Sequence, residues 1–290
     1  MTVASAVVVT FSAVGILFSS LYFRRFRIAR PPIGVFNFRD LVYLMLGVVL
    51  VPFLYLVIPI WSVAALLILS TASLLYFTWE PVVRTRWAIW LATIAVLGAD
   101  IWSALQYSLS GQAFSLVNDF VVVVIVVGVT NLWAQSGMKA RDVTILSGGL
   151  MIYDFTATTL LPSMGDLMER LVGLPLSPQV AWGTQHTAFY ASIGLGDLLL
   201  ASIFPMIMRK AYGPAAGYTS IAISIAAILG MFVTPIGTMF PAMIILAPLA
   251  IVQYVYWLRR NGAERSTQEY LQMEPLPSQP YLPDGVRSLR

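Results

Sequence analysis

Long apolar stretches separated by short polar breaks run through the chain and predict membrane-spanning helices. A helix that crosses the hydrocarbon core of a bilayer needs about 20 mostly apolar residues, and the charged, proline-rich and glycine-rich breaks leave nine such stretches. They cover approximately residues 3–22, 41–59, 62–79, 87–108, 115–134, 143–162, 187–208, 217–235 and 238–258. The alternating pattern of an outer-membrane barrel does not occur. The sequence therefore predicts an all-α, polytopic membrane protein with nine transmembrane helices.

The composition excludes an ordinary soluble domain. Hydrophobic residues make up 59% of the 290 residues and charged residues only 10%, which leaves too little polar surface to cover a soluble globule. The first stretch is interpreted as a span and not as a cleavable signal, because its basic residues follow the apolar run. Residues 259–290 are polar and rich in proline, so we expect a disordered tail there.

Basic residues are distributed unevenly between the two sides of the predicted bundle. Of the 17 lysines and arginines, all except Arg170 lie in segments that follow odd-numbered spans. Because positively charged loops stay in the cytoplasm, the amino terminus is predicted outside and the carboxy terminus inside. This bias and the attraction of anionic lipid headgroups explain the net charge of +4 better than nucleic-acid binding does.

Two aspartates lie deep inside apolar stretches, where a carboxylate costs at least a few kcal/mol. Asp142 marks the cytoplasmic start of the sixth span, and Asp154 lies 12 residues after it. Arg209 marks the cytoplasmic end of the seventh span, and Asp197 lies 12 residues before it. At about 1.5 Å per residue, each acid lies about 18 Å from the cytoplasmic end of its helix. The two acids are therefore expected at one depth on adjacent antiparallel helices.

Two carboxyl groups forced close together cannot both ionise easily, so such a pair is expected to share one proton. The ionised member can then take a proton from a water molecule that attacks a peptide carbonyl, while the protonated member donates to that carbonyl. Gly194 and Gly196 are expected to let an extended substrate approach Asp197 closely. Ordinary packing of helices through small residues is the alternative interpretation of these glycines.

Three short motifs occur in order along the last spans. They are Tyr153-Asp154, Gly194-Leu195-Gly196-Asp197 and Pro241-Ala242-Met243. Together they resemble the three marks of the presenilin and signal peptide peptidase family of intramembrane aspartyl (GxGD) proteases, with Met243 where the family has leucine. The resemblance covers residues 143–258. It implies that Asp154 and Asp197 are the catalytic pair of a hydrolase that needs no metal or cofactor, and that the Pro241 region shapes the active site.

The resemblance also divides the chain and suggests a branch of the family. Residues 1–142 would form a five-span scaffold, residues 143–258 the catalytic spans and residues 259–290 the cytoplasmic tail. The predicted orientation and the short 163–186 connection resemble signal peptide peptidases more than presenilins. This implies an uncleaved single chain that works without an accessory subunit. Its substrates would be transmembrane peptides with cytoplasmic amino termini, such as remnant signal peptides.

Other chemistries lack the residues they need. The chain has no cysteine and one histidine, His186, and neither the zinc-protease HExxH pattern nor the GxSG pattern of serine intramembrane proteases occurs. His186 is expected at a helix entry. Two further acids, Asp100 and Asp119, keep a proton- or cation-coupled transporter as the alternative function. For Asp100 a packing or hydrogen-bonding role is expected over a catalytic one.

Overall fold

The structure is a computed structural model. The residues that it describes include ten α-helices and one antiparallel pair of short strands. These residues are 1–28, 36–83, 85–107, 111–161, 163–172, 174–183, 191–234, 240–266 and 269–270. The elements are α1 (Val3–Arg25), α2 (Phe38–Val57), α3 (Ile60–Trp79), α4 (Arg86–Tyr107), α5 (Gln112–Gln135), α6 (Ala140–Phe155), a π-helical turn (Thr156–Leu160), α7 (Ser163–Leu171), β1 (Gln179–Trp182), β2 (Ala191–Gly194), α8 (Leu195–Tyr212), α9 (Pro214–Val233) and α10 (Met243–Asn261).

The predicted class, an all-α multi-pass membrane protein, is confirmed in this coarse form. Among the described residues, seven helical segments are long and apolar enough to cross a membrane. They are α1 to α5, α6 with its π-helical turn, and α9. Two further long helices, α8 and α10, correspond to the predicted seventh and ninth spans but fall outside that set. Nine spanning helices are therefore not established by length and composition.

The seventh predicted span, 187–208, begins differently from the prediction. Its described part starts with the strand β2, and the helix α8 begins only at Leu195. β1 and β2 pair antiparallel, with Val180 opposite Ile193. A four-residue strand inside an apolar run carries no period that distinguishes it from a buried helix, which is why the hydrophobic pattern assigned these residues to a helix.

Helix α5 forms the centre of the bundle. It contacts α1, α3, α4, α8 and β1, and most of its apolar residues are buried, as expected for a helix that is apolar on all sides. Asn131 on α5 donates from Nδ2 to the carbonyl of Ser19 on α1 at 3.1 Å. Helix α2 is the opposite case, because Leu41 is the only residue buried along its whole described length. A lipid environment would cover such an exposed apolar surface.

Part of the predicted tail lies against the bundle. Residues 259–261 are the last turn of α10, and residues 262–266 follow with described contacts to the ends of other helices. Tyr270 is 2% exposed and stacks on Phe23 of α1, with ring centroids 5.5 Å apart. The expectation of disorder from residue 259 onward therefore does not apply to these residues.

Candidate active site

Asp197 lies in the first turn of α8. Gly194 is the N-cap of this helix, so Asp197 occupies the third helical position, and the backbone of Gly194 hydrogen-bonds its carboxyl group. The start of α2 uses the same arrangement, in which Asn37 N–H donates to Asp40 Oδ2 at 2.7 Å. An acid at this position satisfies a backbone donor that the helix leaves unpaired. The Gly-Leu-Gly-Asp motif is thus also the start signal of α8.

The two glycines of this motif have different surroundings. A Cβ atom added to Gly194 would lie 3.1 Å from Asp197 Oδ2, tighter than ordinary contact. A Cβ added to Gly196 would meet nothing within 4 Å among the described residues. Gly194 has φ −67° and ψ 148°, which any residue adopts. Glycine at 194 therefore gives the carboxyl group room, whereas Gly196 borders open space beside the acid.

Asp154 lies in the last turn of α6, directly before the π-helical turn. Its Oδ1 accepts a hydrogen bond of 3.1 Å from the hydroxyl of Thr158. Its Oδ2 accepts a second bond, also 3.1 Å, from the backbone N–H of Met243. The carboxyl group is therefore fixed by one donor from its own helical segment and one from α10. The sequence analysis did not single out Thr158, although its spacing of four residues from Asp154 is a helical contact spacing.

The third motif forms the start of α10, and this end of the helix contacts Asp154. Met243 is the first residue of this helix and Ala242 is its N-cap, while the carbonyl of Pro241 accepts from the N–H of Ile244 at 3.1 Å. The amino-terminal end of a helix carries a partial positive charge and unpaired N–H groups, so it favours a carboxylate. Pro241, Ala242 and Met243 are all buried.

The two aspartates lie within electrostatic range of each other. α8 contacts α6, α10 contacts both helices, and the charge of Asp154 acts on Asp197. Each aspartate is half-buried. One acid is therefore bonded by a backbone N–H at the start of α10, and the other lies in the first turn of α8.

Tyr153 is the residue before Asp154 in α6, and its side chain lines a gap between helices. Its side chain is half-buried and lines a narrow gap between α2, α6 and α7 with Pro52, Leu56 and Met164. Leu195, the remaining residue of the glycine motif, is half-buried and its N–H donates to the carbonyl of Pro178 at 2.9 Å. This bond continues the β1–β2 pairing into the first residue of α8.

Asp100 and Asp119 accept hydrogen bonds from backbone N–H groups in and near β1. Asp119 Oδ1 accepts from the N–H of Ala181 in β1 at 2.8 Å, and Asp100 Oδ1 accepts from the N–H of Leu176 at 2.7 Å. Leu176 has φ +62°, a strained value for a residue that is not glycine. Both acids are fully buried. Each acid thus uses Oδ1 in a hydrogen bond to the backbone, as expected for Asp100, while Oδ2 of each has no hydrogen-bond partner among the described residues.

The neighbouring Asn118 completes this support. Its Nδ2 donates to the carbonyls of Ser177 and Gln179, at 3.1 and 3.0 Å. Because Gln179 and Ala181 direct their backbone groups to α5, the side of β1 away from β2 is already occupied. In β2, the backbone groups of Ser192 point away from β1. This outward side of β2 comes directly before Asp197 in the chain.

Within the part of the chain that the structure describes, no group of three or more His, Cys, Asp or Glu side chains could hold a metal ion. His186 lies outside the described residues. Comparison with known proteins adds no relative, since no protein-family model matches the chain and no curated protein matches it either.

Proposed function

We propose that the protein is an intramembrane aspartyl protease that hydrolyses peptide bonds of transmembrane segments, with Asp154 and Asp197 as its catalytic pair. One observation carries this proposal. Three separate sequence motifs converge on one place, because the charge of Asp154 acts on Asp197 and the N–H of Met243 donates to Asp154. A chance set of motifs has no physical reason to meet in this way.

The proposed reaction is hydrolysis by a carboxyl pair that holds one proton. The ionised aspartate takes a proton from water, and the oxygen of that water forms a bond to the peptide carbonyl carbon. The protonated aspartate donates its proton to the carbonyl oxygen. When the tetrahedral intermediate collapses, the C–N bond breaks, the leaving nitrogen receives a proton from one aspartate, and the other aspartate takes the proton of a hydroxyl group as the new C=O bond forms. Thr158 and the N–H of Met243 hold Asp154 in place during these steps.

The strand β2 supports a substrate that is extended at the cleavage site. A peptide bond within a helix is shielded by its own turn, so the substrate must unwind before water can attack it. An extended chain can pair with the edge of a strand, and β2 continues directly into the first turn of α8, which carries Asp197. Non-helical backbone is tolerated in a membrane only where protein or water surrounds it, and α1, α5 and α8 contact the two strands.

We propose further that α8 and α10 complete a set of nine spans, with the amino terminus outside and the carboxy terminus in the cytoplasm. This orientation, with the short 163–186 connection, favours the signal peptide peptidase type of protease, acting as a single chain without an accessory subunit. The proposed substrates are transmembrane peptides with cytoplasmic amino termini. The bonds that Asp100 and Asp119 accept from backbone N–H groups give one oxygen of each acid a role that needs no transport.

The test is cleavage of a fluorogenic transmembrane peptide by the detergent-purified protein. We expect cleavage that Asp154→Ala and Asp197→Ala each abolish and that an aspartyl-protease transition-state inhibitor blocks. The matched control is Asp166→Ala, which removes an exposed acid on α7 and should leave the rate unchanged. Cleavage that survives either catalytic substitution, or proton-coupled uptake into vesicles without any cleavage, would contradict the proposal.

A further inference from the structure

The segment that follows α10 contacts the ends of both helices that carry the aspartates. Arg265 donates from its backbone N–H to the carbonyl of Ala211 at 3.1 Å. Its guanidinium donates from Nη2 to the carbonyl of Arg209 at 2.9 Å and from Nε to Ala211 at 3.3 Å. These carbonyls belong to the last turn of α8, where a helix leaves acceptors unpaired and favours a positive charge.

The preceding residue makes the complementary contact. Glu264 Oε2 accepts from the N–H of Ala140 at 2.9 Å, and Ala140 is the first residue of α6. The start of a helix has unpaired donors and favours a negative charge. Two neighbouring residues of opposite charge, Glu264 and Arg265, therefore bind opposite ends of two antiparallel helices. We call this pair the tail clamp.

The segment that carries the tail clamp is held on both sides. It follows directly from Asn261, the last residue of α10. Beyond it, Tyr270 is buried against Phe23 of α1, and the guanidinium of Arg27 lies 5.3 Å from the Tyr270 ring centroid. Because α10 and α1 fix the segment before and after Glu264 and Arg265, the clamp can hold helix ends in place.

The positions of the clamped residues match the positions of the aspartates. Asp154 lies 14 residues after Ala140 along α6, and Asp197 lies 14 residues before Ala211 along α8. At 1.5 Å per residue, both distances are about 21 Å. A contact that holds Ala140 and Ala211 at the same depth therefore also holds the carboxyl groups of Asp154 and Asp197 at one depth, about 21 Å further along the two helices.

We propose that Glu264 and Arg265 are positioning residues that set the axial register of α6 against α8 and thereby align Asp154 with Asp197. This inference rests on the proposed function. A slip of one helix by a single residue moves its carboxyl group by about 1.5 Å, and a misplacement of about 1 Å can lower a rate about 100-fold. The clamp thus acts on the reaction without touching the substrate.

The kinetic test compares variants of the full-length chain. Glu264→Ala and Arg265→Ala are each expected to lower kcat roughly 10- to 100-fold, with KM changed less than about twofold, because substrate contacts stay intact. Glu264→Gln keeps an acceptor for Ala140 N–H and should restore most of the rate. The double alanine variant should be no slower than the slower single variant, since either change alone releases the register.

Two control variants each remove one exposed charge that has no described bond to α6 or α8. Glu169→Ala removes an exposed acid on α7. Arg260→Ala removes an exposed base that lies over Trp257. Both controls should leave kcat unchanged. Thermal unfolding of every variant separates a loss of alignment from a loss of fold.

A cross-link measures the alignment without catalysis. The chain has no cysteine, so Asp154→Cys with Asp197→Cys places two unique thiols at the proposed site. A short bifunctional thiol reagent should join α6 to α8, and the yield should fall severalfold when Glu264→Ala is added. The Glu169→Ala background should give the original yield.

The two proposals fail in different ways. If the wild type cleaves the peptide and both alanine variants keep its kcat, the clamp is wrong and the proposed function stands. If the wild type cleaves no transmembrane peptide, the proposed function is wrong. In that case an unchanged cross-link yield with Glu264→Ala also overturns the clamp, whereas a reduced yield supports its structural part.

Discussion

Thr158 gives the most informative test of how the aspartate pair is held. Its hydroxyl donates to Asp154 Oδ1 at 3.1 Å, from within the π-helical turn. Thr158→Val keeps the branched shape and removes the donor. The residue lies outside the three motifs, so an effect on cleavage would depend on the described geometry and not on the family resemblance.

The size of the effect follows from the hydrogen bond. A bond to a charged group contributes about 1.5–3 kcal/mol, and each 1.36 kcal/mol in the barrier is a factor of ten in rate. At 3.1 Å the Thr158 bond is longer than an ordinary O–H···O bond, and Asp154 is only half-buried. Both facts place the effect at the lower end, so we expect kcat to fall about tenfold.

The assay is steady-state cleavage of the fluorogenic transmembrane peptide. Thr158→Ser keeps the hydroxyl and is the matched control, with kcat expected within about threefold of wild type. KM should change little in both variants, because the lost contact is made to Asp154 and not to substrate. Wild-type kcat in Thr158→Val, with Thr158→Ser equally active, would refute the role assigned to this bond.

Two further predictions concern glycines. Gly194→Ala should lower kcat, because its new Cβ would lie 3.1 Å from Asp197 Oδ2. Gly196→Ala places its Cβ in open space among the described residues and should chiefly raise KM. Equal kinetic effects of the two substitutions would contradict this contrast. Gly128→Ala should lower the thermal unfolding temperature, because its Cβ would lie 1.9 Å from Thr78 Oγ1. Adding Thr78→Ala should recover part of the loss, and a Gly128→Ala protein as stable as wild type would show that α3 and α5 are not in close contact.

The long helices and the two candidate acids could be predicted from local sequence. A span leaves a continuous apolar signal over about 20 residues, and a charge inside that signal, such as Asp154 or Asp197, is conspicuous for its cost. The matched spacing of these acids from charged helix ends also follows from helical rise alone. The shared depth of the two acids stays a prediction, and the structure adds that α6 and α8 contact each other.

The strands and the supports of the site could not be predicted in this way. β2 lies inside an apolar run where a hydrophobicity pattern does not separate strand from helix. The bond from Met243 to Asp154 joins residues 89 positions apart, and the bond from Glu264 to Ala140 spans 124 positions. No local pattern reports such pairs, because each depends on how distant segments pack.

The sequence by itself determined which segments are apolar enough for helices in a membrane and which acids are out of place there. These properties depend on the transfer of side chains from water, which is a local quantity. Only the tertiary structure decided what those acids contact. It directed Asp100 and Asp119 to backbone N–H groups and brought the start of α10 to Asp154, because a hydrogen bond requires two specific atoms to meet at about 3 Å.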